Sequence, residues 1–366
     1  MPRTGIATLP LHYGKAPKWL FDRMVSLSRE IIYAVVSEFG QKAFLEKLAD
    51  PYWFQALGCV LGFDWHSSGL TTTVTGALKE GLRGMERDLR VFIAGGKGAT
   101  SRKTPEQIRI YSDRFLINPD PLVYASRMSA KVDNTAVQDG YQLYHHVFVF
   151  TGDGQWSVIQ QGMNENKRTA RRYHWLGNPE TDFVVEPHTA VCCDKRGTTL
   201  NLVAVESEGT RETCKDLSRE KPEKTVRELK KIQKLNLTER HHVTASDIDP
   251  KKLYRILTKT YEHQPEEFEN LLGIKGVGPK TIRALSLISE IIYGTTPSYR
   301  DPARFSFAHG GKDGTPFPVD RKTYDKTIDI MKKAINAASI GNQEKMLAIR
   351  RLAKYFERDF TEQRKL

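Results

Sequence analysis

The run YQLYHHVFVF-TGDG-QWSVIQQGM (141–163) constrains the fold more than any other stretch. Two segments rich in aromatic and β-branched residues flank a Gly-Asp-Gly turn, the pattern of an antiparallel β-hairpin. DFVVEPHTAVCC (182–193) and TTLNLVAVES (198–207) add further strand candidates. A sheet of this kind needs helices to cover it, and the flanking sequence supplies them. Trp19, Phe21, Met24, Val25, Leu27, Ile31 and Ile32 recur at helical spacing, as do Phe44, Leu45, Leu48 and Phe54. The expected class is therefore α+β. Residues 61–103 are mixed, and Thr71, Thr72, Thr73 and Val74 fit either the start of a helix or a short strand.

Beyond the sheet region the texture changes. Residues 207–222 are dense in charge and poor in large apolar side chains, which suits a linker. Helical patterns then follow at about 223–236, 250–262, 265–272, 279–294 and 321–358. A Gly-, Pro- and aromatic-rich segment, 294–318, interrupts them. This predicts an N-terminal mixed domain with an antiparallel sheet (1–206), a charged linker (207–222) and a C-terminal all-α domain (223–366). No internal repeat is evident.

Lys and Arg number 56 against 44 Asp and Glu, a formal net charge of +12 over 366 residues. An excess of that size favours a polyanionic partner, with nucleic acid the commonest. No run approaches the roughly 20 apolar residues that span a bilayer, and the first residues lack a signal-peptide pattern. The cysteines are Cys59, the vicinal pair Cys192 and Cys193, and Cys214. Without a C-x-x-C spacing they argue against a zinc ribbon and for reduced thiols. The expectation is a cytoplasmic, nucleoid-associated protein without a membrane partner.

The stretch EFENLLGIKGVGPKTIRALS (267–286) carries the clearest chemistry. Leu271 and Leu272 close one apolar-periodic segment; Ile282, Leu285, Ile288 and Ile292 continue another. Between them Gly273, Gly276 and Gly278 permit a tight turn with bare backbone, and Pro279 suits the first turn of a new helix. Backbone N–H groups at such a helix start favour a bound phosphate. Lys275, Lys280 and Arg283 surround the turn with positive charge.

Gly276-Val277-Gly278-Pro279-Lys280-Thr281 resembles the helix-hairpin-helix motif of DNA-binding and DNA-repair proteins, which grips a strand's phosphates without reading sequence. Lys280 and Asp320, the latter in PFPVDRKTYDKTI, extend the likeness to the helix-hairpin-helix DNA glycosylase/lyase superfamily. That resemblance implies a lysine nucleophile forming a Schiff base at C1′ and an aspartate stabilising the developing positive charge. The 40-residue separation exceeds that of compact members, and no four-cysteine iron–sulfur loop follows. RTGIATLPLHYGKAPKWLFDRM, ALGCVLGFDWHSSG, AGGKGATSRKT and QDGYQLYHHVFVF together resemble a prokaryotic family catalogued as a domain of unknown function, number 763, along nearly the whole chain.

Several polar clusters in the first half are read from their residues. Asp64, His66, Asp133, Asp139 and His145 are carboxylates and imidazoles of the kind that hold a divalent metal and activate water on a phosphodiester; as caps and hydrogen-bonded groups they are equally ordinary. Strand alternation sends His145 and His146 to opposite faces. GGKGATSRK, with Lys97, Arg102 and Lys103, lacks P-loop spacing and reads as a phosphate-contacting or merely solvated loop. NENKRTARRYHW places Arg171 and Arg172 beside aromatics, as in a nucleic-acid grip or a helix with one charged face. The DNA-binding set expected is Lys275, Gly276, Gly278, Thr281, Arg283, Lys97, Arg102, Lys103, Arg171 and Arg172. SYRDPARFSFAHGGKDG fits either a base-contacting lid or a structural insert.

Three functions are compatible with these features. The first is a DNA-repair enzyme of glycosylase/abasic-site-lyase type, needing no cofactor. The second is a metal-dependent nuclease using Mg²⁺ or Mn²⁺ in the N-terminal domain, the hairpin serving as clamp. The third is a non-catalytic DNA-binding adaptor. In each the partner is DNA, single-stranded or damaged forms included.

Overall fold

The computed structural model describes residues 16–63, 69–193, 196–235, 246–304, 321–338, 341 and 343–352. The fold is α+β, with an antiparallel sheet between two helical layers. The chain opens with α1 (Lys18–Ala49), which bends at Gly40, and α2 (Pro51–Val60). Asp50 starts α2 by accepting from the N–H groups of Tyr52 at 2.8 Å and Trp53 at 3.3 Å. The threonine run lies in α3 (Gly69–Leu82), and a short α4 (Glu86–Leu89) leads into β1 (Val91–Lys97). Next come α5 (Ala99–Arg102), α6 (Thr104–Phe115) and α7 (Pro119–Lys131), the last running into a π-helical turn, Val132–Ala136.

The sheet order is β1-β3-β4-β5-β6, with β3 (Gln142–Thr151), β4 (Trp156–Asn164), β5 (Thr169–Gly177) and β6 (Ala190–Cys192) all antiparallel to their neighbours. The hairpin takes the expected place: Phe150 pairs with Trp156 across the Gly-Asp-Gly turn. A separate two-stranded ribbon joins β2 (Val137–Gln138) to β7 (Leu200–Asn201). Of the two further strand candidates, β6 and β7 are the parts that form strands among the described residues. Val147, Val149 and Ile159 face α1, α2 and α3; Phe148, Phe150 and Val158 face the opposite core. Burial on both faces explains why these strands read as continuous apolar runs instead of alternating ones.

The charged segment 207–222 is not a linker. Most of it forms α8 (Glu208–Arg219), which buries Thr210, Arg211, Cys214, Leu217 and Ser218. Those positions recur at helical spacing, but the stripe is made of small and polar residues that hide it among charges. α8 packs on α12 (Pro279–Tyr293) and α10 (Pro250–His263), with α9 (Pro222–Ile232) and α11 (Phe268–Gly273) completing the layer. One apolar core runs from Phe92 and Phe148 through Leu217 and Leu229 to Leu271 and Ile288. α13 (Arg321–Ala337) lies instead against α1 and α2, its Met331 and Ile335 joining the other core together with Ala348 and Leu352 from the helical residues 343–352. The helical half is thus divided between both faces of the sheet. Among the described residues no helix is long and apolar enough to cross a membrane.

Gly95 ties β1 to β3. Its φ is +92°, and a Cβ there would lie 2.2 Å from the His146 carbonyl oxygen and 2.7 Å from Thr104 Oγ1. Gly95→Ala is expected to destabilise the chain by about 1–3 kcal/mol from backbone strain alone, measured by urea unfolding. A change below about 0.5 kcal/mol, the range of neutral surface substitutions, would contradict the close approach.

Candidate nucleic-acid interface

α11 ends at Gly273 and α12 begins at Pro279, leaving Ile274–Gly278 as the turn. Gly276 has φ +106°, a conformation that favours glycine. Val277 N–H closes the turn on Ile274 O at 3.1 Å. The N–H groups of Gly276, Gly278 and Lys280 meet no hydrogen-bond acceptor among the described residues. Gly278 caps α12 without a side chain, so no cap side chain covers the helix start.

The N-terminal half holds this turn in place. Lys131 at the end of α7 donates its amine to Val277 O, and Gln138 Nε2 donates to Pro279 O at 2.9 Å. The Tyr124 hydroxyl donates to Glu269 on α11. Burial pulls the Lys131 amine below its ordinary value; burial, then Glu269, pushes the Tyr124 phenol up. The turn is therefore fixed before any ligand arrives, which spares the cost of ordering it.

Between the turn and the sheet lies a cleft of about 880 Å³. One wall is the turn, with Lys275, Gly276 and Gly278. The other is α5 with Arg102 and α7 with Tyr124, Ser126, Arg127 and Lys131. His145 and His146 close the sheet end. Among the described residues the lining carries four cations and no Asp or Glu.

At the cleft floor the polar atoms are paired in a defined order. Ser126 Oγ is 2.9 Å from His146 Nε2, and His146 Nδ1 is 2.8 Å from Gln160 Oε1. Gln160 Nε2 donates to Asp133 Oδ2 at 2.6 Å. Asp133 also accepts from Trp175 Nε1 at 2.9 Å and pairs with His188. It sits fully buried in the π-helical turn. On the opposite face His145 Nε2 is 3.0 Å from Thr75 Oγ1, which donates to Thr71 O at 2.7 Å. Burial lowers both histidines: His145 to about 3, helped by His146 and Lys97, and His146 despite Gln160 and Asp133.

The expected site residues divide accordingly. Lys275, Gly276, Gly278 and Arg102 line the cleft; Lys97 and Lys103 are exposed on its flank, the Lys97 amine 5.8 Å from the centre of the Tyr144 ring. Thr281 is buried, and Arg283 is paired with Asp247 at 2.9 Å. Lys280 is 61% exposed, 3.1 Å from the same carboxylate, and is not part of the cleft lining. Burial opposes, but the Lys280 hydrogen bond and the Arg283 charge hold Asp247 below its ordinary value.

Arg171 and Arg172 are a correction: both are buried in β5 and cannot reach a nucleic acid. Arg171 bridges Asp139 at 2.8 Å and Asp301 at 2.7 Å, while Arg172 faces Gln55 and His174. Asp133, Asp139 and His145 also keep apart, each bonded to different partners. Among the described residues no three His, Cys, Asp or Glu side chains gather as a metal site. Asp64, His66 and Asp320 lie outside the described residues. So does most of the 294–318 segment, but its described start is structural: Ser298 bridges Asn201 and Asp301 holds Arg171.

The alternation expected for the histidine pair holds, with His145 turned to α3 and His146 to α7. Both nevertheless border the cleft, because it cuts across the end of the sheet. The residues missed from sequence are those of α7: Tyr124, Ser126, Arg127 and Lys131. One signal was available. Ser126 and Ser129 fall on the buried stripe with Leu122, Val123, Ala125 and Met128, where a hydroxyl needs a partner.

These features define an α+β protein whose basic cleft joins a glycine turn to the end of an antiparallel sheet. The chain belongs to the family described as "Protein of unknown function (DUF763)", whose model matches residues 5–319. No curated protein and no solved structure matches it.

Proposed function

We propose that this chain is a DNA-processing protein that holds the phosphate backbone of DNA in the cleft between the α11–α12 turn and α5 and α7. The observation that carries the reading is the lining itself: Arg102, Arg127, Lys131 and Lys275 come from three separate segments, with no carboxylate among the described lining residues. In this reading the α11–turn–α12 unit acts as a helix-hairpin-helix. The N–H groups of Gly276 and Gly278 bind a phosphate oxygen, and the helix start favours its charge. Tyr124, partly exposed on the wall, offers a stacking face for an unpaired base. Lys280 serves as a second phosphate contact: an exposed amine paired with Asp247 is the opposite of a desolvated nucleophile.

The test is fluorescence anisotropy with labelled single-stranded and duplex DNA. Lys275→Glu is expected to weaken binding by about tenfold or more, whereas Lys42→Glu on α1 leaves it unchanged. Equal affinities for the two variants would refute the cleft as the DNA site.

A further inference from the structure

The hydrogen bonds at the cleft floor leave little choice of proton positions. A carboxylate only accepts, so Asp133 takes the amide N–H of Gln160 and turns that side chain's oxygen toward His146. The oxygen in turn accepts from Nδ1, which places the ring proton there. Nε2 is left with a lone pair, and the only hydrogen available to the 2.9 Å contact is that of the Ser126 hydroxyl. Asp133 is itself braced by Trp175 and His188, so the chain of four groups is anchored at its far end. A hydroxyl donating to a base whose other nitrogen is fixed by a third group is the arrangement of an activated serine. Ser126 and His146 border the cleft, whereas Gln160 and Asp133 lie behind them.

We infer that Ser126 is a nucleophile and His146 its general base, acting on a phosphodiester held in the cleft; this rests on the DNA-binding reading above. Ser126 Oγ attacks phosphorus while its proton passes to His146 Nε2. The bond from phosphorus to one sugar oxygen breaks, and that oxygen takes the proton back from His146. The products are one DNA end esterified to Ser126 and one free hydroxyl end. The step consumes no water, metal or redox partner. Arg127, Lys131 and Lys275 border the same cleft and oppose the charge that builds on the phosphoryl oxygens. Gln160 and Asp133 are positioning residues that fix the histidine tautomer.

Two probes test this on the full chain. A biotin-tagged alkyl fluorophosphonate reports an activated serine, because attack breaks its phosphorus–fluorine bond. DNA carrying a bridging phosphorothiolate, with sulfur on the 3′ or the 5′ side, traps a covalent end because the thiolate leaving group rejoins poorly. Peptide mass spectrometry should place the fluorophosphonate on Ser126, and SDS-resistant DNA–protein adducts should form. Both signals should vanish in Ser126→Ala. His146→Gln should slow labelling at least about 100-fold, in the range for loss of a general base. If that variant fails to fold, Gln160→Met is the substitute: labelling should slow, and the ¹⁵N shifts of the His146 ring should show loss of the pure Nδ1–H tautomer.

No label on Ser126, or equal labelling in the histidine or glutamine variant, overturns the nucleophile. Labelling by fluorophosphonate without a DNA adduct overturns the phosphodiester as substrate. Anisotropy of labelled DNA on the unmodified chain separates the two levels. Binding without labelling removes the serine and keeps the cleft; labelling without binding removes the DNA reading and keeps the serine.

Discussion

Arg171→Met should lower stability by about 3–5 kcal/mol, the usual cost of removing one partner from a buried ion pair. The guanidinium is 1% exposed. Nη1 donates to Asp139 at 2.8 Å, Nη2 donates to Asp301 at 2.7 Å, and the group lies 4.7 Å from the centre of the Tyr141 ring. Burial pushes the Asp139 carboxyl up. The Arg171 charge, with hydrogen bonds from Tyr173 and Tyr141 N–H, pulls the other way without cancelling that rise. Without the arginine, two carboxylates remain in a dry site. Asp301 also fixes Gly197 N–H at 2.7 Å, so the 294–304 segment loosens with it. Asp301→Asn added to Arg171→Met should recover part of the loss. Urea unfolding measures both, and a single-variant change below about 1 kcal/mol, no more than a surface ion pair contributes, would contradict this account.

The second large effect is acid sensitivity. His145, His146 and His174 are buried and held below their ordinary value. For His174, burial comes first and the charge of Arg172 adds to it. His174 donates Nδ1–H to Leu48 O at 2.9 Å and accepts Arg172 Nε at 2.8 Å, so its neutral form is the one built in. At pH between the folded and unfolded values, the unfolded chain binds the extra protons. The stabilisation is therefore complete above about pH 6.5, the unfolded histidine value, and declines as pH falls toward the folded values, about 3 for His145. Each histidine contributes up to about 1.4 kcal/mol per pH unit in that window. Unfolding free energy measured at pH 7.5, 6 and 5 should drop steeply over the last two points. A flat profile would mean the rings are not buried neutral.

What was legible in the sequence is local. The β3–β4 hairpin showed itself because its turn residues and its β-rich runs lie within 23 consecutive positions. The 274–278 turn did so through Gly276, Gly278 and Pro279. Where meaning depends on distant partners, reading by segment failed. Arg171 and Arg172 look like surface cations until Asp139, Asp301 and Gln55 are seen across the fold. α8 looked like a linker because Thr210, Cys214 and Leu217 make a thin stripe among charges. The cleft floor was invisible for the same reason. Ser126 lies 20 residues from His146, and Gln160 lies 14 beyond it and 27 from Asp133. No motif spacing encodes that convergence; the register of β3 against β4 and the π-helical turn after α7 create it.

If the cleft holds phosphates as proposed, the salt dependence of DNA affinity will show it. Log affinity should fall linearly with log salt concentration. Replacing Arg102, Arg127 and Lys275 together by glutamine should flatten that slope by about 0.7–0.9 for each phosphate contact removed. A slope unchanged by the triple replacement would show that DNA, if bound at all, is held elsewhere on this basic chain.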